Sequence, residues 1–229
     1  MSPDHEASSP RRQFLERLGV MAVAVSAPRY VSPESPPVEP EHSPQSPWDM
    51  SWVDRVTAAK YRAVFDANNI ADGFALDLAV DFMDKFKEVY NTRDEETRAV
   101  VVMRQLGTPM ALKDELWERY AIGEERKITD PATKAPARRN PFYRAAPGMS
   151  ADVAASKLEN LLARGLIVLV CNRAAMNFAS SLAEKTKRNI EEVRADVRLG
   201  LVPGALLMPD GIFALIRAQN AGCAFMRGA

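Results

Sequence analysis

Of the two cysteines in the chain, Cys171 stands where a thiol could do chemistry. It closes an apolar run, Gly165 to Arg173 (GLIVLVCNR), with Asn172 and Arg173 directly after it. A run this continuous reads as a strand buried on both faces of a parallel sheet, and the segment 174–187 reads as a helix. In such sheets the turn from strand into helix lies at the carboxyl edge, where ligands bind. There the free amides of the helix and the Arg173 guanidinium would favour a thiolate. A thiol of lowered pKa is a nucleophile or sulfur acceptor near neutral pH. Cysteines at strand ends also commonly do no more than pack, and the residues alone leave both readings open.

Other polar side chains fall at strand exits of the same expected sheet: Asp66, Asn68, Arg104, Gln105, Asn172, Arg173 and Asp210. Asn and Asp there routinely cap helices. Arg104 is the one capping explains least, and an arginine at that edge suits an anion such as a sulfur oxyanion or a carboxylate. Cys223 reads as packing. A Cys171–Cys223 disulfide is rejected: one thiol ends a strand and the other begins one, so parallel strands would hold them roughly 15 Å apart. Both histidines, His5 and His42, precede the expected domain. That excludes a Ser-His-Asp triad, a Cys-His pair or a histidine metal site within it. Two cysteines alone do not make a zinc site either, so no metal is expected; no cofactor is expected, with GxGxxG and GxxxxGK[ST] both missing from the sequence. A nicotinamide or flavin oxidoreductase therefore ranks last among the function classes.

The elements that must position these groups follow in order. Strands are expected at 60–67, 98–104, 165–173, 205–208 and 223–226. Helices are expected at 71–90, 110–120, 150–163, 174–187 and 212–220, with a charged stretch at 188–198. Gly107-Thr108-Pro109 supplies a turn, a capping hydroxyl and a proline for the helix at 110. Ser150 is expected to cap the helix at 150. Strand and helix alternate, which points to an α/β protein: a three-layer α/β/α sandwich with a mostly parallel sheet of about five strands. Residues 121–148 interrupt the alternation with four prolines, a GEERK cluster and Arg138-Arg139. They read as a solvated excursion, or as an arm that packs on a partner or covers the site, anchored by Phe142 and Tyr143.

The first residues point elsewhere. Ser9-Pro-Arg11-Arg12-Gln-Phe14-Leu15 has the twin-arginine pattern, followed by a mildly apolar run, 18–27, ending Val25-Ser26-Ala27 like a cleavage site. That run is half the roughly twenty residues a membrane span needs. Residues 1–27 are expected to be an export signal engaging the twin-arginine translocon, and the protein periplasmic. No stable membrane insertion is expected once the signal is removed. Residues 28–47 hold seven of the sixteen prolines and read as a linker, leaving 48–229 as one domain. Thirty basic and thirty acidic side chains cancel, so there is no electrostatic footprint for nucleic acid.

With these residues in view, the sequence resembles the DsrE/DsrF-like sulfur-relay family. The resemblance lies in LIVLVCNRAAM, and in LVPGALLMPDGIFALIRAQNAGCAFMR with its Pro-Gly, short strand, proline, Gln-x-x-Gly helix and closing strand. It spans about 60–227, with 121–148 as an insertion. It implies the family's α/β/α sandwich, a homo-oligomer, and a persulfide carried at Cys171 between a sulfur donor and an acceptor protein. On that reading the protein is an exported sulfurtransferase or sulfur carrier, with Arg104 and Arg173 stabilising the thiolate or an anionic donor. The alternative is a non-catalytic small-ligand-binding or partner-docking module of the same fold.

Overall fold

Three runs too apolar to face water on either side form the centre of the sheet in the computed structural model, which describes residues 46–229. They are β1 (Tyr61–Ala67), β2 (Thr97–Met103) and β3 (Ile167–Cys171). Two shorter strands, β4 (Ala205–Met208) and β5 (Ala224–Arg227), complete a five-stranded, wholly parallel sheet in the order β4-β3-β2-β1-β5. Successive side chains alternate between faces, as the pleat requires. Phe65, Val101, Met103, Val168 and Val170 enter one core, and Val64, Val100, Val102, Ile167 and Leu169 enter the other.

The order of the strands decides where the helices lie. From β1 to β4 the chain marches one way, so right-handed crossovers put every connection on one face. That layer holds α2 (Phe74–Tyr90), α3 (Asp114–Arg119), α6 (Leu158–Ala163), α7 (Asn172–Thr186) and α8 (Ile190–Leu199). After β4 the chain turns back to place β5 beside β1. The returning helix α9 (Gly211–Asn220) therefore lies on the opposite face, packed with α1 (Trp52–Thr57). The result is the three-layer sandwich expected from the alternation of strand and helix. The twin-arginine segment, most of the Pro-rich linker and both histidines lie outside the described residues.

Three expected elements take a different form. The helix expected at 110–120 is a 3-10 helix, Gln105–Ala111, followed by α3. Gly107 sits so close to β1 that a Cβ there would come within 2.2 Å of the Ala67 carbonyl oxygen. This tight seat winds Thr108 and Pro109 into the 3-10 turn, and the Thr108 hydroxyl is buried without a partner instead of capping. The helix expected at 150–163 is two: α5 (Ala151–Ala155), with no side-chain cap from Ser150, and α6. The break falls at Lys157, whose buried ammonium donates to the Pro141 carbonyl at 2.9 Å. The charged stretch forms α8, capped by Asn189, whose carboxamide oxygen accepts from the Glu191 amide at 2.8 Å.

The insertion at 121–148 folds onto its own domain. It contains α4 (Ile122–Arg126) and an antiparallel bridge between Thr129 and Pro136. The expected anchors, Phe142 and Tyr143, are buried in the main core, with the Phe142 ring 6.2 Å from Trp117. Main-chain carbonyls of those same two residues accept from the Leu158 and Glu159 amides, satisfying the open first turn of α6. Asn140 fastens the segment: its buried Nδ2 donates to the Met110 and Leu112 carbonyls, both at 2.7 Å, and its Oδ1 accepts from the Phe142 amide at 2.9 Å. Asn140→Ala strands three buried polar groups that each cost about 1–3 kcal/mol when unpaired. The expected result is a loss of about 3 kcal/mol in denaturant unfolding, with faster tryptic cleavage at Arg138 and Arg139.

Candidate functional site

A sheet whose neighbouring strands send their helices to opposite faces opens a crevice between the two exits. Here those neighbours are β3, which leads into α7, and β4, which leads into α9. A cleft of about 450 Å³ lies at this point, lined by Cys171, Arg173, Arg104, Gln105, Asp210 and Gly211, with Arg126 and the first turns of α7. The concavity is within the usual range for a small-molecule site.

Cys171 is the N-cap of α7. Its Sγ accepts from the Ala174 amide at 3.4 Å, the place a serine or aspartate oxygen would ordinarily take. The residue as a whole is buried, at 4% exposure, and meets solvent through the cleft. Gly211 packs against it from α9. A Cβ on Gly211 would fall 2.8 Å from the Arg104 side chain and 3.3 Å from the Cys171 Cβ, so the missing side chain lets the two residues approach this helix start together.

Arg104 is held rather than free. Its Nε and Nη2 donate to the two carboxylate oxygens of Asp66 at 2.7 and 2.6 Å, a two-pronged pair with little solvent access. The Asp66 carboxylate keeps the guanidinium above its ordinary pKa. Arg173 Nη2 lies 2.7 Å from Asp210 Oδ2, but this arginine is 69% exposed and its pair is a surface one. Asp210 also caps α9, its Oδ1 accepting from the Ile212 amide at 2.7 Å. Gln105 lines the rim at φ 49°, a left-handed conformation that a side chain adopts only at a cost.

Three residues grouped with the site by sequence are placed differently: Asp66 pairs with Arg104 and does not line the cleft. Asn68 is outside the cleft lining, in the turn after β1, where its carbonyl accepts the Leu106 amide at 3.0 Å. Asn172 starts α7 but does not line the cleft, and its Oδ1 is buried without a hydrogen-bond partner. The structure adds residues that sequence reasoning missed. Ala174, Asn177, Phe178 and Ser181 fall three, six, seven and ten positions after Cys171 and line the cleft. Helical periodicity counted from the thiol would have found them. Arg126 comes from the insertion, and no local signal ties it to this edge. Its guanidinium lies over the Phe178 ring at 4.6 Å and its Nε is buried without a partner. Burial lowers its pKa, outweighing the opposing pull of the Glu125 charge. Among the described residues it forms no ion pair, and no cluster of His, Cys, Asp or Glu could hold a metal ion.

Cys223 lies just before β5, and both cysteines are free thiols. Burial pushes the Cys223 thiol up to about 11. A second concavity, apolar and about 510 Å³, runs beside the β1–β5 pair and is lined by Tyr61, Phe82, Phe86, Phe225 and Met226.

No family model matches the chain, and no curated protein matches it. Among solved structures, it is similar to a protein of unknown function from Methanobacterium thermoautotrophicum, at 16% identity over 73% of this chain and 98% of that one, with a TM-score of 0.36.

Four outcomes follow from this geometry. Asp66→Ala leaves the Arg104 charge largely buried and unpaired, so a loss of about 3 kcal/mol is expected in equilibrium unfolding. Arg173→Ala, at an exposed pair, changes stability by less than about 1 kcal/mol. Native protein treated with iodoacetamide at mildly alkaline pH is expected to be modified at Cys171 and spared at Cys223, as peptide mapping reads. The stability that Cys223 contributes is complete below its unfolded value of about 8.5 and is lost as pH rises toward about 11. The unfolded thiol ionises first in that window, so Cys223→Ala should flatten the alkaline fall in stability.

Proposed function

We propose that this protein accepts sulfane sulfur on Cys171 and passes it on, as its resemblance to the DsrE/DsrF-like family implies. The observation that supports the reading is the position of one sulfur atom. Sγ of Cys171 sits at the switch point of the sheet, on the open first turn of α7, with the Ala174 amide directed at it and three arginines around the same cleft. A helix amide and nearby guanidinium groups stabilise negative charge on sulfur.

The transfer is an exchange without net oxidation. The Cys171 thiolate attacks the terminal sulfur of a donor persulfide, R–S–SH. The donor S–S bond breaks and its electron pair leaves with R–S⁻, while the proton stays on the transferred sulfur as Cys171–S–SH forms. An acceptor thiolate attacking that outer sulfur returns Cys171 to its starting state. The role is that of a sulfurtransferase or sulfur carrier, served by a donor and an acceptor protein and requiring no cofactor. The twin-arginine pattern of residues 9–27 adds export to the periplasm to the proposal. The apolar groove beside β5, with Phe225 and Met226 both half exposed, supports self-association.

Intact-mass analysis after incubation with a sulfane donor tests the reading. A gain of about 32 Da, one sulfur atom, is expected. Reductant should remove it, and Cys171→Ser should not show it. No adduct on the wild-type chain, or an adduct that survives in Cys171→Ser, leaves the non-catalytic ligand-binding module in its place.

A further inference from the structure

We infer that Arg126, carried into the cleft by the 121–148 insertion, is the residue that selects the ligand, and that it selects for an oxyanion group. The inference rests on the cleft being the ligand site of the sulfur-relay reading, and it names the class of donor that site takes.

The charges around the cleft do not balance. Arg104 is matched by Asp66 through two short hydrogen bonds, and Arg173 by Asp210. Arg126 is the cation left over: it forms no ion pair among the described residues, and its Nε is buried without a partner. Its guanidinium lies over the Phe178 ring at 4.6 Å, a contact that restrains it and leaves the Nη groups to meet a ligand. Such a fork matches the paired oxygens of a carboxylate, or two oxygens of a sulfonate-like group. Desolvation penalises this guanidinium, and an anion in the cleft would relieve that penalty. Asn177, Ser181 and Gln105 provide hydrogen-bonding groups on the same lining, and the one carboxylate there, Asp210, is engaged with Arg173 and the start of α9. Thiosulfate, or a persulfide on a carboxylate-bearing thiol, has this chemistry.

Binding separates the inference from the sulfur reaction. Thiosulfate and succinate are titrated calorimetrically, at low ionic strength, into the Cys171→Ser chain, which has no thiol in the cleft to be persulfidated. At least one is expected to bind, and Arg126→Gln in the same background should weaken it by about tenfold or more. Thiosulfate alone binding assigns a sulfur oxyanion, and succinate alone assigns a carboxylate-bearing donor. Arg126→Met keeps the packing on Phe178 and serves if the Gln variant loses cooperative unfolding. Neither anion binding, or equal binding with and without Arg126, overturns the inference. Arg126-dependent binding in a protein that never gains the sulfur adduct upholds the anion site and ends the relay. An adduct formed on a protein that binds neither anion does the reverse.

Discussion

Right-handedness of the strand crossovers is the constraint on which the rest of this molecule depends. Four strands laid down in one direction commit their connecting segments to a single face, and one reversal commits α9 to the other. A crevice must then open between β3 and β4, whatever residues line it. Cys171 ends β3 and Asp210 follows β4 at the cap of α9, so the thiol and the carboxylate beside Arg173 reach one cleft because of topology. The same reversal sets Gly211 against Cys171 and Arg104, and the missing side chain at that position lets three elements converge on one point.

Electrostatics then divides three arginines into separate roles. Arg104 is drawn down onto Asp66 and is largely withdrawn from solvent, so it serves first as a strut between the exits of β1 and β2. Arg173 is exposed and loosely paired, at a position where water screens its charge. Arg126 alone combines partial burial with the lack of an ion pair among the described residues. A guanidinium is suited to this because it keeps its charge under desolvation that would neutralise a lysine.

Much of this was legible from residue patterns. Continuous apolar runs identified the central strands, and the bounds of β4 came directly from Ala205–Met208. Cys171, Arg104, Gln105, Arg173 and Asp210 were all read to one sheet edge because parallel strands end there, and all five line the cleft. What escaped has long-range causes. The helix expected at 110 starts only at Asp114, after a 3-10 turn in which Gly107 abuts a carbonyl of another strand, forty residues away in sequence. The helix expected at 150 broke because Lys157 reaches back to Pro141. Arg104 was read as an anion site because its partner Asp66, though named at the same edge, faces it only across the sheet register. Arg126 lay in a proline-marked segment without a period, where local reasoning has nothing to count.

That segment is fastened at its foot, away from its exposed tip. Asn140 grips two peptide carbonyls, Phe142 and Tyr143 offer theirs to α6, and Gly123 is pressed against the backbone of Ala137. Attachment of this kind depends little on which side chains occupy the exposed tip around 130–135. The tip can therefore diverge freely in composition while the loop's foot stays registered over the crevice. Integrity of the scaffold and variation at the insertion's tip are thereby separable, governed by different stretches of one polypeptide.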